Sequence, residues 1–149
     1  MEADNNQTQI LLAEDDPHDA ELTMRVLRRR NLADKLVWVK DGVAVLEFIF
    51  GPNSNADSNV RRKPKLILLD LKMPKLNGIE VLQRLKSHAV TKVIPVVILT
   101  SSREERDLHI CYKLGVNSYI VKPVEFESFA TAVTELGLYW LFQNVQPHS

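Results

Sequence analysis

The sequence has few of the features that mark secreted, membrane or disulfide-linked proteins. Its 149 residues include a single cysteine, Cys111, so no internal disulfide can form and a reducing compartment is expected. No run of about eighteen or more consecutive apolar residues occurs, so no transmembrane helix is predicted. Residues 1–9 are polar and acidic and lack the basic start and apolar stretch of a signal peptide. The sequence therefore predicts a cytoplasmic protein.

The chain also lacks an excess of either charge. Nineteen Lys and Arg residues balance nineteen Asp and Glu residues, which gives a formal net charge of zero. Without a net positive charge, no whole-molecule field attracts nucleic acid or an anionic membrane surface. Neither Gly-x-Gly-x-x-Gly nor the P-loop lysine motif occurs. We therefore expect no nucleic-acid partner, no membrane partner and neither of the common nucleotide-binding loops.

What the sequence does contain is an alternation of strand and helix patterns. Short apolar runs, typical of strands buried on both faces of a parallel sheet, alternate with amphipathic segments. The predicted strands are 9–13, 36–39, 66–69, 96–99 and 118–121. The predicted helices are 18–30 after an Asp16 cap, one opened by Asp41-Gly42, one capped by Asn77, 103–114 after a Ser101/Ser102 capping box, and about 125–143. Five such units predict a doubly wound α/β fold, a five-stranded parallel sheet with helices on both faces.

We divide the chain into a disordered N-terminus (1–8), one domain (9–144) and a tail (145–149). Residues 51–65 contain glycine, two prolines, asparagines and serines, a composition that predicts a mobile surface loop. The basic end of this loop, 61–63, leaves a partner contact as the alternative. Only 26 residues follow Pro123, so we expect no DNA-binding or enzymatic output domain.

Polar side chains follow four of the apolar runs at the point where each strand ends. Glu14-Asp15 follows the first strand, and Asp70, Thr100 and Lys122 follow the third, fourth and fifth. Because parallel strands present their carboxyl ends at one edge of the sheet, one pocket would hold carboxylates, a hydroxyl and an ammonium. Clustered carboxylates repel one another unless a cation intervenes, and hard oxygen ligands suit Mg²⁺.

Each of these residues also has an ordinary interpretation when it is taken alone. The run 14–16 could be a solvated helix cap before Pro17, and Asp70 could be a turn residue. Their joint pattern favours a site for a metal ion and a phosphoryl group. A carboxylate beside a divalent ion and a lysine can attack phosphorus and form an acyl phosphate, which makes Asp70 the candidate nucleophile.

This pattern resembles the receiver domain of bacterial two-component response regulators. The resemblance covers residues 9–142 and implies the flavodoxin-like strand order 2-1-3-4-5 and a cis peptide bond between Lys122 and Pro123. The residues that carry it are Glu14-Asp15, Asp70 with Met73-Pro74 and Gly78, Thr100-Ser101, and Tyr119 with Lys122-Pro123.

The resemblance implies a signalling protein rather than an enzyme. Asp70 would accept a phosphoryl group from the phosphohistidine of a histidine kinase, and Thr100 and Lys122 would hold the phosphoryl oxygens. Tyr119 would move as Thr100 shifts, which would change the surface formed by the fourth helix, the fifth strand and the fifth helix.

The resemblance also implies a metal site with Mg²⁺ as the cofactor. Asp15, Asp70 and the backbone carbonyl of Lys72 would bind Mg²⁺, and Glu14 would act through water. Two alternatives remain open. One is a pseudo-receiver that only binds partners. The other is a phosphatase of the haloacid dehalogenase type, although that family places its nucleophile on the first strand.

The last predicted helix carries more apolar surface than one sheet face needs. Its first half has the spacing of a stripe that packs on the sheet, whereas its end is apolar nearly all round and rich in aromatic residues. We predict a homodimer through this helix, with interface residues Phe129, Leu136, Trp140, Leu141 and Phe142. The long helix and the loop also resemble stand-alone receivers that partner bacterial phytochromes, which implies a phytochrome-type kinase.

Overall fold

The computed structural model of the protein describes residues 9–29, 35–52, 59–101, 105–116 and 118–135. The strands are β1 (Ile10–Ala13), β2 (Leu36–Val39), β3 (Leu66–Asp70), β4 (Val96–Thr100) and β5 (Ser118–Val121). The helices are α1 (Pro17–Arg28), α2 (Gly42–Phe50), α3 (Gly78–Lys86), α4 (Glu105–Lys113) and α5 (Phe126–Glu135), with a 3₁₀ turn at Thr91–Val93. All strand pairs are parallel and the order is β2-β1-β3-β4-β5, so the predicted fold and strand order are confirmed.

The apolar runs form the strands because both faces of the sheet are covered. Every residue of β1, β3 and β4 is buried, as expected for strands between two helical layers. Helices α2, α3 and α4 enclose one hydrophobic cluster, and α1 and α5 enclose the other. The two clusters hold the sheet rigidly, and the polar ends of its strands are left at one edge.

The strand register aligns those ends. Ala13 lies opposite Leu69, Asp70 lies opposite Leu99, and Thr100 lies opposite Val121. The residues that follow β1, β3, β4 and β5 therefore emerge next to one another along the carboxyl edge of the sheet, as predicted.

Side-chain caps fix where several helices begin. The Asp16 carboxylate accepts hydrogen bonds from the backbone N–H groups of His18 and Asp19, and Asn77 forms a reciprocal capping box with Glu80. The predicted caps Asp16 and Asn77 are therefore confirmed. The predicted Ser101/Ser102 box involves residues 102–104, which lie outside the described residues.

One predicted interface residue is corrected by the fold. Phe129 is fully buried in its own chain, in the cluster between α5 and the sheet, so it belongs to the core and not to an exposed interface. Phe129 lies in the first half of the predicted helix, where the apolar spacing is that of a stripe packed on the sheet, and the interface prediction should not have included it. The other predicted interface residues, Leu136, Trp140, Leu141 and Phe142, lie outside the described residues.

The basic end of the predicted loop packs against α2. The backbone N–H groups of Arg61 and Arg62 donate to the Ile49 carbonyl at 2.6 and 3.2 Å. The Arg62 guanidinium lies 5.1 Å from the centre of the Phe48 ring, in cation–π range. Residues 59–65 are therefore attached to the C-terminal end of α2; residues 53–58 lie outside the described part of the chain.

None of the helices in the described ranges is long and apolar enough to cross a bilayer.

The single thiol is inaccessible in the folded chain. Cys111 on α4 is fully buried, and burial, with a contribution from Asp107, raises the pKa of its thiol to about 11. Because the thiolate is the nucleophile, a rise from 9.0 to about 11 lowers its population at pH 8 about 100-fold. We expect iodoacetamide to label the native protein at pH 8 at least ~100-fold more slowly than the urea-unfolded protein, followed by intact mass. Equal labelling rates would show that Cys111 is exposed.

Candidate functional site

Three carboxylates converge at the carboxyl edge of the sheet. Glu14 and Asp15 follow β1, and Asp70 is the last residue of the neighbouring strand β3. One oxygen from each of the three lies within 4.8 Å of the others. Glu14 is 1% exposed and Asp70 4%, whereas Asp15 is exposed to solvent. The sheet thus places two buried carboxylates and one accessible carboxylate in a single cluster.

Lys122 supplies the positive charge of this cluster. It follows β5, and its Nζ lies 2.6 Å from Glu14 Oε1, 2.9 Å from Asp19 Oδ2 and 3.3 Å from Asp70 Oδ2. Its backbone N–H donates to the Thr100 carbonyl at 2.8 Å, and the Lys122–Pro123 peptide bond is cis, as predicted. The lysine is therefore positioned by β4 and β5 and reaches across the edge to β1 and β3.

Burial and ion pairing act in opposite directions on the pKa values of Glu14 and Lys122. Burial raises the pKa of the Glu14 carboxyl to about 7; the hydrogen bond from Lys122 opposes this rise and the charge of Asp70 adds to it. Burial alone would lower the pKa of Lys122, but hydrogen bonds to Glu14 and Asp19 and the charge of Asp70 outweigh burial and raise it. Lys122 therefore carries a full positive charge at neutral pH.

Asp19 is a site residue that the sequence reasoning missed. It lies in the first turn of α1, where its carboxylate accepts a hydrogen bond from Lys122 at 2.9 Å. The available signal was its position on the helix turn that directly follows the acidic run 14–16, because that turn begins at the same edge of the sheet. Lys122 consequently contacts three carboxylates and not only the two at the ends of β1 and β3.

The remaining predicted residues lie beside this cluster. Thr100 is fully buried at the end of β4, next to β3. Tyr119 is half-buried on β5, opposite Ile98, and packs against the hydrophobic cluster under α2, α3 and α4. Lys72 is exposed, and its backbone N–H lies 3.4 Å from Asp70 Oδ1. Lys72 thus lies two residues after Asp70 along the chain, Thr100 ends the strand beside β3, and Tyr119 lies one strand further, on β5.

A glycine allows α3 to begin directly against the Asp70 backbone. The Gly78 N–H donates to the Leu71 carbonyl at 2.9 Å. A Cβ atom at this position would lie 2.3 Å from the Asp70 carbonyl oxygen, closer than van der Waals contact permits. The absence of a side chain at Gly78 therefore sets the path of the chain after Asp70.

Comparison with known proteins decides the family. Residues 10–134 match the response regulator receiver domain. The chain belongs to the response regulator receiver family. Proteins of this family are phosphorylated by histidine kinases. Membership does not support the phosphatase alternative, and Asp70 lies on β3 and not on the first strand.

Relatives of this receiver include proteins whose names indicate different roles. The probable methanogenesis regulatory protein FilR2 of Methanothrix harundinacea is 38% identical over 138 residues, which cover 93% of this chain and 86% of FilR2. Response regulator Rcp1 of Synechocystis is 36% identical over 132 residues, 89% of this chain and 88% of Rcp1. The bacteriophytochrome response regulator RtBRR is 46% identical, with a TM-score of 0.76, over 90% of this chain and 80% of that chain. The receiver is therefore related to phytochrome response regulators.

The carboxylate cluster of this receiver fits a hard divalent cation. Mg²⁺ prefers oxygen ligands, keeps several water molecules and is bound by few protein carboxylates. Glu14, Asp15 and Asp70 supply such oxygens, and the exposure of Asp15 leaves the cluster accessible to a hydrated ion. Receiver domains bind Mg²⁺ at this acidic pocket, and the structure of Rcp1 in its Mn²⁺-bound form resembles this chain with a TM-score of 0.68.

Proposed function

We propose that this receiver accepts a phosphoryl group on Asp70 from the phosphohistidine of a histidine kinase. The observation that carries the proposal is the arrangement around Asp70: an ammonium at 3.3 Å and two further carboxylates within 4.8 Å, at the end of a rigid buried strand. Phosphoryl transfer depends chiefly on positioning and charge neutralisation, and this pocket supplies both.

In the proposed step, an Asp70 carboxylate oxygen attacks phosphorus and forms an O–P bond. The bond between phosphorus and the kinase imidazole nitrogen breaks, and that nitrogen keeps the electron pair. Asp15, Asp70 and the Lys72 backbone carbonyl would hold Mg²⁺, with Glu14 acting through water, and the ion would neutralise negative charge on the phosphoryl oxygens. Lys122 supplies a second positive charge beside the acceptor oxygen.

The phosphoryl group then provides the free energy for switching. It adds up to about two negative charges beside the buried carboxylates Glu14 and Asp70. We propose that Thr100 and Lys122 hold its oxygens and that Tyr119 moves with Thr100, which alters the surface of α4, β5 and α5. An almost complete two-state switch needs about 5.5 kcal/mol of differential stabilisation, and a charged group held by a lysine and a metal can provide it.

We further propose a kinase of the bacteriophytochrome type as the phosphoryl donor. The support is similarity to RtBRR and Rcp1 over nearly the whole described chain. FilR2 is related to this chain to a similar degree, and its name does not mention a phytochrome. The test of the donor therefore includes an unrelated histidine kinase as a control. The phosphorylated bacteriophytochrome kinase should transfer its label to this receiver at least ~10-fold faster than an unrelated phosphorylated histidine kinase does. Equal rates would contradict this assignment and leave phosphorylation of Asp70 intact.

Intact mass spectrometry tests the function itself. Incubation with acetyl phosphate and Mg²⁺ should add about 80 Da, the mass of one phosphoryl group, and EDTA should prevent the addition. An unmodified mass at every time point, with a control receiver modified in parallel, would favour the pseudo-receiver alternative. Turnover of many phosphoester substrates would instead point to a phosphatase.

Replacing Lys122 by Met should weaken both the pocket and the fold. The change removes the only ammonium within 4 Å of Glu14 and Asp70 among the described residues. Breaking a buried ion pair by removing one partner costs about 3 kcal/mol, which we expect in urea unfolding at pH 8. The yield of phosphorylated protein should fall by at least ~10-fold. Lys113→Met, on the exposed end of α4, is the matched control; a similar loss there would contradict a specific role for Lys122.

We also propose a homodimer through the C-terminal segment and β5. Its support is the aromatic pattern of residues 136–142 and the position of β5 at the edge of the sheet, where a strand has one unpaired side. Combining Trp140→Glu with Phe142→Glu should raise the dimer dissociation constant by at least ~100-fold in sedimentation velocity, since buried aromatic residues dominate such interfaces. Tyr112→Glu, at an exposed position of α4, should leave the dimer dissociation constant unchanged. A monomeric wild-type protein at high concentration would contradict the proposal.

A further inference from the structure

A tryptophan outside the acidic cluster holds the backbone of one of its members. Trp38 is the third residue of β2, the strand beside β1, and is half-buried. Its indole Nε1–H donates to the backbone carbonyl of Glu14 at 2.8 Å. The indole N–H is the only donor of this side chain, and indole N–H groups that are shielded from water usually have a hydrogen-bond partner. The bond therefore satisfies Trp38 and fixes the Glu14 carbonyl in one orientation.

This bond extends the attachment of Glu14 to β2 beyond the end of the strand ladder. The last residue pair between β1 and β2 is Ala13 and Val39, and the Glu14 N–H donates to the Val39 carbonyl at 3.0 Å. Past that point, the ladder between β1 and β2 offers no donor to the Glu14 carbonyl. Trp38 supplies that donor from its side chain, so both backbone polar groups of Glu14 are bonded to β2.

The turn that follows Trp38 also contacts the opposite side of the cluster. Asp41 Oδ2 lies 3.5 Å from Lys75 Nζ in the loop after Asp70. Gly42 packs so closely on that loop that a Cβ atom would lie 1.9 Å from the Leu76 carbonyl oxygen. Residues 38–42 therefore contact both the segment that carries Glu14 and the segment that follows Asp70, in addition to the direct pairing of β1 with β3.

We infer that Trp38 is a positioning residue for the metal site, which acts through the backbone of Glu14 to hold Glu14 and Asp15 near Asp70. The inference rests on the proposed function insofar as Mg²⁺ is the cation. The Trp38 bond fixes the peptide unit that joins Glu14 to Asp15. Outer-shell hydrogen bonds of this kind typically change metal affinity about 10- to 100-fold when they are removed. The same bond makes the indole a fluorescent probe of metal binding in this chain.

Metal titration of purified protein without any phosphoryl donor tests the inference. Trp38→Phe keeps an aromatic ring and removes the donor, and should raise the dissociation constant for Mg²⁺ about tenfold in isothermal titration calorimetry. Mn²⁺ binding followed by electron paramagnetic resonance should weaken in parallel. In wild type and in Trp140→Phe, Mg²⁺ should change the tryptophan fluorescence, and in Trp38→Phe this change should disappear.

A packing control separates positioning from general destabilisation. Leu36→Ala, on the same strand and against the same hydrophobic cluster, should lower the urea midpoint without changing the dissociation constant for Mg²⁺. An Mg²⁺ affinity of Trp38→Phe within twofold of wild type would overturn the inference, as would an equal loss of affinity in Leu36→Ala. Wild-type protein that binds Mg²⁺ but gains no mass from acetyl phosphate would refute the proposed function and leave the role of Trp38 standing.

Discussion

Asp70→Asn abolishes the mass increase of about 80 Da that acetyl phosphate and Mg²⁺ produce; this is the largest effect we expect from one substitution. The amide has nearly the shape of the carboxylate but is a far weaker nucleophile, so the acyl phosphate cannot form. The substitution also removes one of three carboxylates around Lys122, and the ammonium keeps its contacts at 2.6 and 2.9 Å with Glu14 and Asp19. The variant should therefore remain folded, while its rate of phosphorylation by acetyl phosphate should fall by at least ~1,000-fold.

Asp16→Asn is the matched control for this experiment. Asp16 lies next to the acidic cluster but caps α1 through its side chain, and asparagine caps a helix equally well. It should gain the phosphoryl group at the wild-type rate. If Asp70→Asn still gained 80 Da at an undiminished rate, another residue would be the acceptor, and tandem mass spectrometry of the adduct would identify it.

Gly78→Ala should lower the free energy of unfolding strongly. The new Cβ would lie 2.3 Å from the Asp70 carbonyl oxygen and 2.7 Å from the Leu71 Cα, both backbone atoms that cannot rotate away. Overpacking of this kind costs about 3 kcal/mol, which for a chain of this size lowers the melting temperature by about 10 °C. Because the displaced backbone carries Asp70, we also expect slower phosphorylation in the fraction that stays folded.

Gly115→Ala is the control for Gly78→Ala. It distinguishes the steric clash at Gly78 from the loss of stability that replacing any glycine can cause. Gly115 has φ +99°, so alanine is strained there, but the nearest atoms to its Cβ are the flexible end of Lys86 at 3.8 and 3.9 Å. It should cost about 1 kcal/mol in urea unfolding and leave the phosphorylation rate unchanged. A Gly78→Ala stability within 1 kcal/mol of wild type would mean that the chain after Asp70 moves more freely than the structure indicates.

The sheet and its carboxyl edge could be predicted from the sequence because one local pattern determines both. Unbroken apolar runs become buried parallel strands, and the first polar residue after each run lies at the shared edge, as Asp70 and Lys122 do. The caps Asp16 and Asn77 could be predicted for the same reason, since a cap acts within three residues of its own helix.

The contacts that the sequence did not predict join distant parts of the chain. Asp19 and Lys122 are separated by 103 positions, and Trp38 and Glu14 by 24. Such pairs depend on how α1 is oriented above the edge and on which side chain extends past the end of β2, and no local periodicity encodes either. The interface prediction for Phe129 was wrong for a different reason, because this residue belongs to the apolar stripe in the first half of the helix that packs on the sheet.

The complete burial of β3 and β4 has a consequence for amide hydrogen exchange. Amides in such strands exchange only when the whole domain opens, whereas those of peripheral loops exchange through small local openings. We therefore expect Asp70, the proposed acceptor, to be attached to the slowest-exchanging part of the described chain. Deforming β3 would cost nearly the full free energy of unfolding, so we expect the conformational response to a phosphoryl group on Asp70 to leave β3 itself in place.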